Sequence, residues 1–317
     1  MKPQGKLCGF LIYRKGNQMA DIKLFNIGEK VKEYQSGTVT LEKELQTVIE
    51  NNMETFFGVT FLATEYRTTD GGRMDSIGID ENHCPVIFEY KRSMKDNVIN
   101  QGLFYLNWLL DHKDSFKVLV IEKQGLKAAE NIDWTMPRVI CIAGDFTKYD
   151  ESAIKQMNRN ISLIRYKKFG NDLLMFEQIN ENIAMAIAED AVVINPKAKS
   201  LGKSFEEHKR EAPANILTLY QDIRNYVLSL GDDITENQLK FYVAFKKIKN
   251  IICVEIFNNK LILHLKLDVN SIEYEEGFTR NTSKIGHYAT GDVEVTIRNH
   301  NDYDKAKLLI DRAYNEN

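Results

Sequence analysis

The chain has 317 residues, 43% of them apolar and 27% charged, with a net charge of −3. That balance excludes a disordered or fibrous chain and argues against a broadly basic surface, while the length exceeds what one core usually serves, so two domains are expected. The four cysteines form no CxxC pair and the six histidines no HxxxH pair, which disfavours a disulfide framework or a Cys/His metal site and fits a reducing, cytoplasmic setting. No apolar run approaches the about 18 residues of a membrane span, so no membrane association is expected.

Residues 1–38 read as an N-terminal extension and lead-in strand. Residues 39–57 have helical spacing, with Thr40 as cap and Leu41, Leu45, Val48, Ile49, Asn52 and Phe56 on one face. A β-like stretch at 59–66 leads to the turn signal Thr69-Asp70-Gly71-Gly72. Residues 73–79 and 85–91 then pair as a hairpin across Asp80-Glu81-Asn82-His83. A helix is expected at 94–113, and buried strands at 116–122 and 137–143, where the apolar runs are nearly continuous. A short helix at 151–159 and strands at 161–168 and 172–179 complete a mixed α/β domain over 39–180.

The span 181–212 serves as a linker, because 195–212 is charged and poor in large apolar residues. A second, smaller α+β domain follows over 213–317. It should hold helices at 213–230 and 235–247, a hairpin of 251–257 and 261–267 around Asn258-Asn259, a strand at 292–298 and a closing helix at 301–315.

Chemistry concentrates in residues 71–108. Period-two alternation puts Glu89 and Lys91 on one strand face, with Phe88 and Tyr90 on the other. The hairpin can bring Asp75 beside Glu89. Two adjacent carboxylates repel, more so in an apolar setting. A hard cation such as Mg²⁺ relieves the repulsion, takes oxygen ligands and bridges to a phosphate. Lys91 is then placed to orient a water or offset developing negative charge. Taken singly, each residue also fits a duller role: Glu-x-Lys as a solvated face, and Asp75 as turn chemistry. Ionic groups at the end of the core-like run Val86-Ile87-Phe88 need a stronger reason. On the next helix Gln101 and Tyr105 are four apart, hence on one face.

Asp75, then Glu89-x-Lys91, then Gln101-x-x-x-Tyr105 resembles the PD-(D/E)xK nuclease signature, in the RecB-like branch whose helix carries QxxxY. The tracts GGRMDSIGID (71–80), PVIFEYKR (85–92) and NVINQGLFYLNWL (97–109) also resemble the NucS-like branch, which cuts DNA. The resemblance covers residues 39–125 and, more loosely, extends to 180. It departs from the pattern at Met74, where the signature has proline. It implies a restriction-endonuclease-like core, Asp75 and Glu89 as metal ligands and Lys91 as catalytic lysine. Gln101 and Tyr105 would lie near DNA or order the site. The family's acid from the first helix matches Glu42 best, with Glu44 and Glu50 as alternatives.

Arg73, Arg92 and Lys95, with Arg67, flank this set and are candidate phosphate contacts. Tyr66, Tyr90 and Trp108 could stack on bases, but core packing accounts for them better. Gly202-Lys203-Ser204 is no P-loop, because Lys197 stands where its first glycine belongs.

The C-terminal half resembles an uncharacterised domain labelled a predicted transport protein, through residues 239–246 and 283–295. The lysine-aromatic tract at 240–249 reads as an amphipathic helix whose lysine stems cover apolar surface. His287, between Gly286 and Gly291, fits a turn better than a site. The expectation is a metal-dependent DNA endonuclease using Mg²⁺, which Mn²⁺ can replace, with DNA as partner. A homodimer would suit cleavage of both duplex strands. The rival readings are a catalytically silent DNA-binding or scaffold protein and a regulatory partner acting through the second domain.

Overall fold

The computed structural model describes residues 7–9, 22–37, 42–91, 98–182, 203–285 and 289–317. A small antiparallel sheet comes first, of β1 (Leu7–Gly9), β2 (Leu24–Ile27) and β3 (Val31–Tyr34), followed by the short β4 (Ser36–Gly37), which pairs with a later strand, β9. The helical pattern expected at 39–57 forms two helices, α1 (Glu42–Glu50) and α2 (Met53–Phe57). Its buried face is Leu45, Gln46, Ile49 and Met53, whereas Val48 is exposed. Thr40 lies outside the described residues.

Strands β5 (Val59–Arg67), β6 (Arg73–Asp80) and β7 (Pro85–Lys91) form an antiparallel meander. Helices α3 (Val98–Asp111), α4 (Lys113–Gln124) and α5 (Leu126–Glu130) then cross over to β8 (Arg138–Ala143), which lies parallel to β7. Past α6 (Lys148–Ile154), strand β9 (Asn160–Phe169) runs parallel to β8, and β10 (Leu173–Asn182) returns antiparallel. The order is β10-β9-β8-β7-β6-β5, with β4 on β9. Helices α3 to α6 bury one face, through Leu106, Leu109, Phe116 and Ile154, and α1 and α2 bury the other, through Leu45, Ile49 and Phe57. The domain is a mixed sheet flanked by helices.

The strand expected at 116–122 is a helix. Phe116, Leu119 and Val120 are buried while Val118 and Ile121 are exposed, a spacing of three and four rather than two.

The second domain packs α7 (Phe205–Glu211), α8 (Ala214–Ser229) and α9 (His300–Glu316) on one face of an antiparallel sheet. Its strands are β11 (Thr235–Gln238), β12 (Val243–Lys246), β13 (Asn250–Phe257), β14 (Lys260–Leu265), β15 (Thr279–Asn281) and β16 (Val293–Ile297), in the order β11-β12-β13-β14-β16-β15. Two expectations are corrected here. Residues 235–247 are two strands, because Val243 and Phe245 alternate into the helix-covered core while Ala244 and Lys246 face the first domain. The stretch 195–212 contains α7, whose Phe205 is buried in the second core. Residues 183–202 and His287 lie outside the described residues.

Candidate active site

β6 and β7 pair in register from Ile79↔Pro85 through Gly78↔Val86 and Ile77↔Ile87 to Ser76↔Phe88. One step further, side chains replace the backbone ladder. The Asp75 N–H donates to Glu89 Oε1 at 3.2 Å, and the Tyr90 N–H donates to Asp75 Oδ2 at 3.0 Å. The strands therefore part at the residues that carry the acids. β7 continues its parallel pairing with β8 through Glu89↔Cys141 and Lys91↔Ala143, so the opening lies on the β6 side alone.

Glu89 is only 2% exposed, and its carboxyl is pushed up to about 8. Burial is the largest cause and the neighbouring Asp75 charge the next. The Asp75 N–H and the Lys91 charge hold it down, and Glu42 raises it further. A buried acid in this position lacks sufficient positive charge around it. Lys91 Nζ lies 3.7 Å from Glu42 Oε1 on α1, which places an acid and an amine at the mouth of the pair.

The other first-helix acids are used elsewhere. Glu44 binds Lys168 at 3.2 Å, and Glu50 accepts from Ser76 Oγ at 2.6 Å and Gln46 Nε2 at 2.8 Å. Tyr105 places its hydroxyl 3.2 Å from the Arg73 N–H, so it fixes the start of β6. Gln101, one turn earlier on α3, is exposed. The Arg73 guanidinium is also exposed and meets Glu65 at 3.4 Å. Arg92 and Lys95 lie outside the described residues. Tyr90 and Trp108 are buried, and Tyr66 packs against the core.

Sequence reasoning missed Gln46. From a buried position on α1 it donates to the Asp75 carbonyl at 2.8 Å, to Thr64 Oγ1 at 3.1 Å and to Glu50. Through Glu50 the network reaches Ser76, and Ser76 Oγ accepts from the Tyr90 hydroxyl at 3.1 Å. α1 is thereby tied to the Asp75 carbonyl and to the Ser76 side chain that follows it. The legible signal was a glutamine beside Leu45 at an inward helical position, four residues before a glutamate.

Among the described residues, no group of three or more His, Cys, Asp or Glu side chains is gathered to hold a metal. Asp75 and Glu89 form a two-acid set instead. Mg²⁺ commonly takes one or two carboxylates and keeps its remaining places for water and phosphate, so the donor chemistry fits. Among the described residues no helix is long and apolar enough to cross a membrane.

Fold and site together define a two-domain α/β protein with an acid-acid-lysine set at the open end of a hairpin. It is 30% identical over 282 residues to an uncharacterized protein of Haemophilus influenzae, a match spanning 86% of this chain and 92% of that one. The chain belongs to the same family as that protein. Residues 205–317 match a domain of unknown function (DUF5655), a description that says nothing of transport. Among solved structures the chain is similar to a repair endonuclease from Pyrococcus abyssi (16% identity, TM-score 0.28, 50% of this chain and 74% of that one). It is also similar to EndoMS in apo form (17% identity, TM-score 0.26) and to an EndoMS–dsDNA complex (18%, 0.25), each over 50% of this chain and 65% of that one.

Proposed function

We propose that the N-terminal domain is a magnesium-dependent endonuclease that hydrolyses phosphodiester bonds in DNA. The observation that carries this reading is the junction at Asp75 and Glu89, where the β6–β7 ladder gives way to two hydrogen-bonded carboxylates with Lys91 on the same strand face as Glu89. Asp75 and Glu89 would hold the cation. When bound, it would supply the positive charge that polarises a phosphate and makes water a stronger nucleophile.

The protein's own groups do the rest. Glu89, whose carboxyl burial raises to about 8, would have to release its proton to serve as a cation ligand. Lys91 swings from Glu42 to orient the attacking water or to offset charge on the phosphate. Tyr105 and Gln46 fix the backbone on either side of Asp75, so the acid does not drift when substrate enters.

The test incubates purified protein with single-stranded, duplex and branched DNA, in Mg²⁺, Mn²⁺ or EDTA. Cleavage that needs the metal and falls at least about a hundredfold in Lys91→Ala, with Mn²⁺ binding retained, supports the reading. Full-rate cleavage by Lys91→Ala removes it. Metal-independent DNA binding without cleavage favours the silent, DNA-binding alternative.

A further inference from the structure

The hairpin that carries Asp75 and Glu89 has a second end, and the C-terminal domain holds it. The β6–β7 turn is built by Asp80, whose Oδ1 accepts from the Asn82 and Cys84 N–H groups at 2.9 Å each. Its other oxygen pairs with Arg138 at the start of β8. His83 sits at φ +62, a conformation a non-glycine residue keeps only where its surroundings fix it. His83 is held from its own domain, its N–H donating to the Asp80 carbonyl and its carbonyl accepting from the Asp133 N–H at 2.9 Å each, whereas the side chains of Glu81 and Asn82 are held by the other domain. Glu81 Oε1 accepts from the Asn250 N–H at 2.5 Å, and Glu81 Oε2 accepts from Lys266 Nζ at 2.6 Å. Asn82 Oδ1 accepts from the Tyr242 hydroxyl at 2.8 Å and from Asn250 Nδ2 at 2.6 Å. Asn82, Asn250 and Tyr242 are all buried, and Cys84 packs with Leu239, Ala244 and Cys253 across the same junction.

We infer that the C-terminal domain positions the acid pair by gripping this turn, with Glu81, Asn82, Tyr242, Asn250 and Lys266 as positioning residues. The inference rests on the proposed function for its purpose, though its geometry stands without it. The pairing runs unbroken from Ile79↔Pro85 beside the grip to Ser76↔Phe88 beside the acids. Side-chain direction in a strand has a period of two, so a one-residue slip at the turn would send Asp75 to the wrong face. Asp75 and Glu89 share no backbone ladder with each other, although β5 pairs on both sides of Asp75 and β8 pairs at Glu89, so the turn and the four pairs beyond it set how the two acids face one another. A turn anchored by buried hydrogen bonds also resists fraying of the two strands toward their open end.

The full-length chain carries the test, as Lys266→Ala, Tyr242→Phe and the conservative Lys266→Arg. Amide hydrogen exchange is followed at Asp75 and Tyr90 in EDTA, and Mn²⁺ affinity is measured by calorimetry without DNA. Both disruptive variants should keep a native circular dichroism spectrum, exchange faster at Asp75 and Tyr90, and bind Mn²⁺ roughly tenfold more weakly, as when a supporting partner of a metal ligand is lost. Lys266→Arg should restore both readouts. Unchanged exchange and unchanged Mn²⁺ affinity in both disruptive variants overturn the inference. Should Tyr242→Phe fail to fold, Lys266→Ala decides alone, since that side chain is 31% exposed. If the parent protein binds no Mn²⁺, the nuclease reading falls, and the exchange comparison still decides whether the domain positions the hairpin.

Discussion

The Glu89 carboxylate accepts the backbone N–H of Asp75 at 3.2 Å, one residue beyond the last ladder pair between their strands. A buried acid thus stands where a carbonyl would otherwise complete the sheet. Stability is traded there for a place to hold charge.

The first prediction concerns that trade. The Glu89 carboxyl is raised from 4.5 to about 8, by burial first and the Asp75 charge second. The folded protein therefore binds this proton more tightly than the unfolded chain does. The stability it gives is fully present below pH 4.5 and is lost as pH rises through about 8. Glu89→Gln keeps an acceptor for the Asp75 N–H and removes that loss. Melting curves in EDTA should show the variant gaining on the parent between pH 5 and 9, roughly the window in which this carboxyl ionises in the folded chain. Parallel curves across that range would contradict the assignment.

Gln46 makes the second. Gln46→Ala removes the Gln46 donor from the Asp75 carbonyl and leaves Glu50 with Ser76 Oγ alone of the two donors named above. The expected cost is about 1–3 kcal/mol, measured by urea unfolding. Mn²⁺ affinity should fall as well, because α1 no longer fixes the backbone at Asp75. A variant as stable as the parent would show that the network is incidental.

The third lies at the domain junction. Lys246 Nζ reaches Glu181 Oε1 at 2.5 Å, and both side chains are at most 5% exposed. Burial alone would raise the Glu181 carboxyl, but Lys246, Arg138 and the Thr235 hydroxyl overcome it and hold it below the ordinary 4.5. Its contribution is present above pH 4.5 and is lost as pH falls through the lowered value. Lys246→Met strands a buried carboxylate and should cost about 3 kcal/mol at pH 7. Acid unfolding of the variant should begin from that lower stability and fall less steeply with pH.

Gly102 supports the fourth. A Cβ there would meet Val139 Cγ1 at 2.5 Å, where α3 crosses β8. Gly102→Ala should destabilise by about 1–3 kcal/mol through overpacking. Gly102→Ala combined with Val139→Ala should recover part of the loss, which a double-mutant cycle would read directly.

The hairpin was legible in the sequence because period-two alternation and a polar turn are local. Spacing alone put Glu89 and Lys91 on one strand face, and the resemblance to the PD-(D/E)xK signature joined Asp75 to them as a candidate set. The helix at 113–124 was not legible. Phe116 to Ile121 is rich in β-branched residues and apolar but for Lys117, so short-range pattern could not separate a buried strand from a helix with one face uncovered. Residues 235–247 failed for the opposite reason: lysines and aromatics mimic an amphipathic helix, while the partner that makes them strands, β13, lies later in the chain. The capping box of Ser204 and Glu207, which starts α7, was local and readable, and the charge around it obscured it.

The sequence by itself determined which residues could do chemistry and on which strand faces they stand, because side-chain type and local periodicity need no distant partner. Only the tertiary structure decided that β6 and β7 part at Asp75 and Glu89, that Glu42 rather than Glu44 or Glu50 meets Lys91, and that the second domain takes hold of Glu81 and Asn82. Those outcomes depend on contacts between segments tens to hundreds of residues apart, and no local pattern encodes which of several equivalent carboxylates or amides will meet.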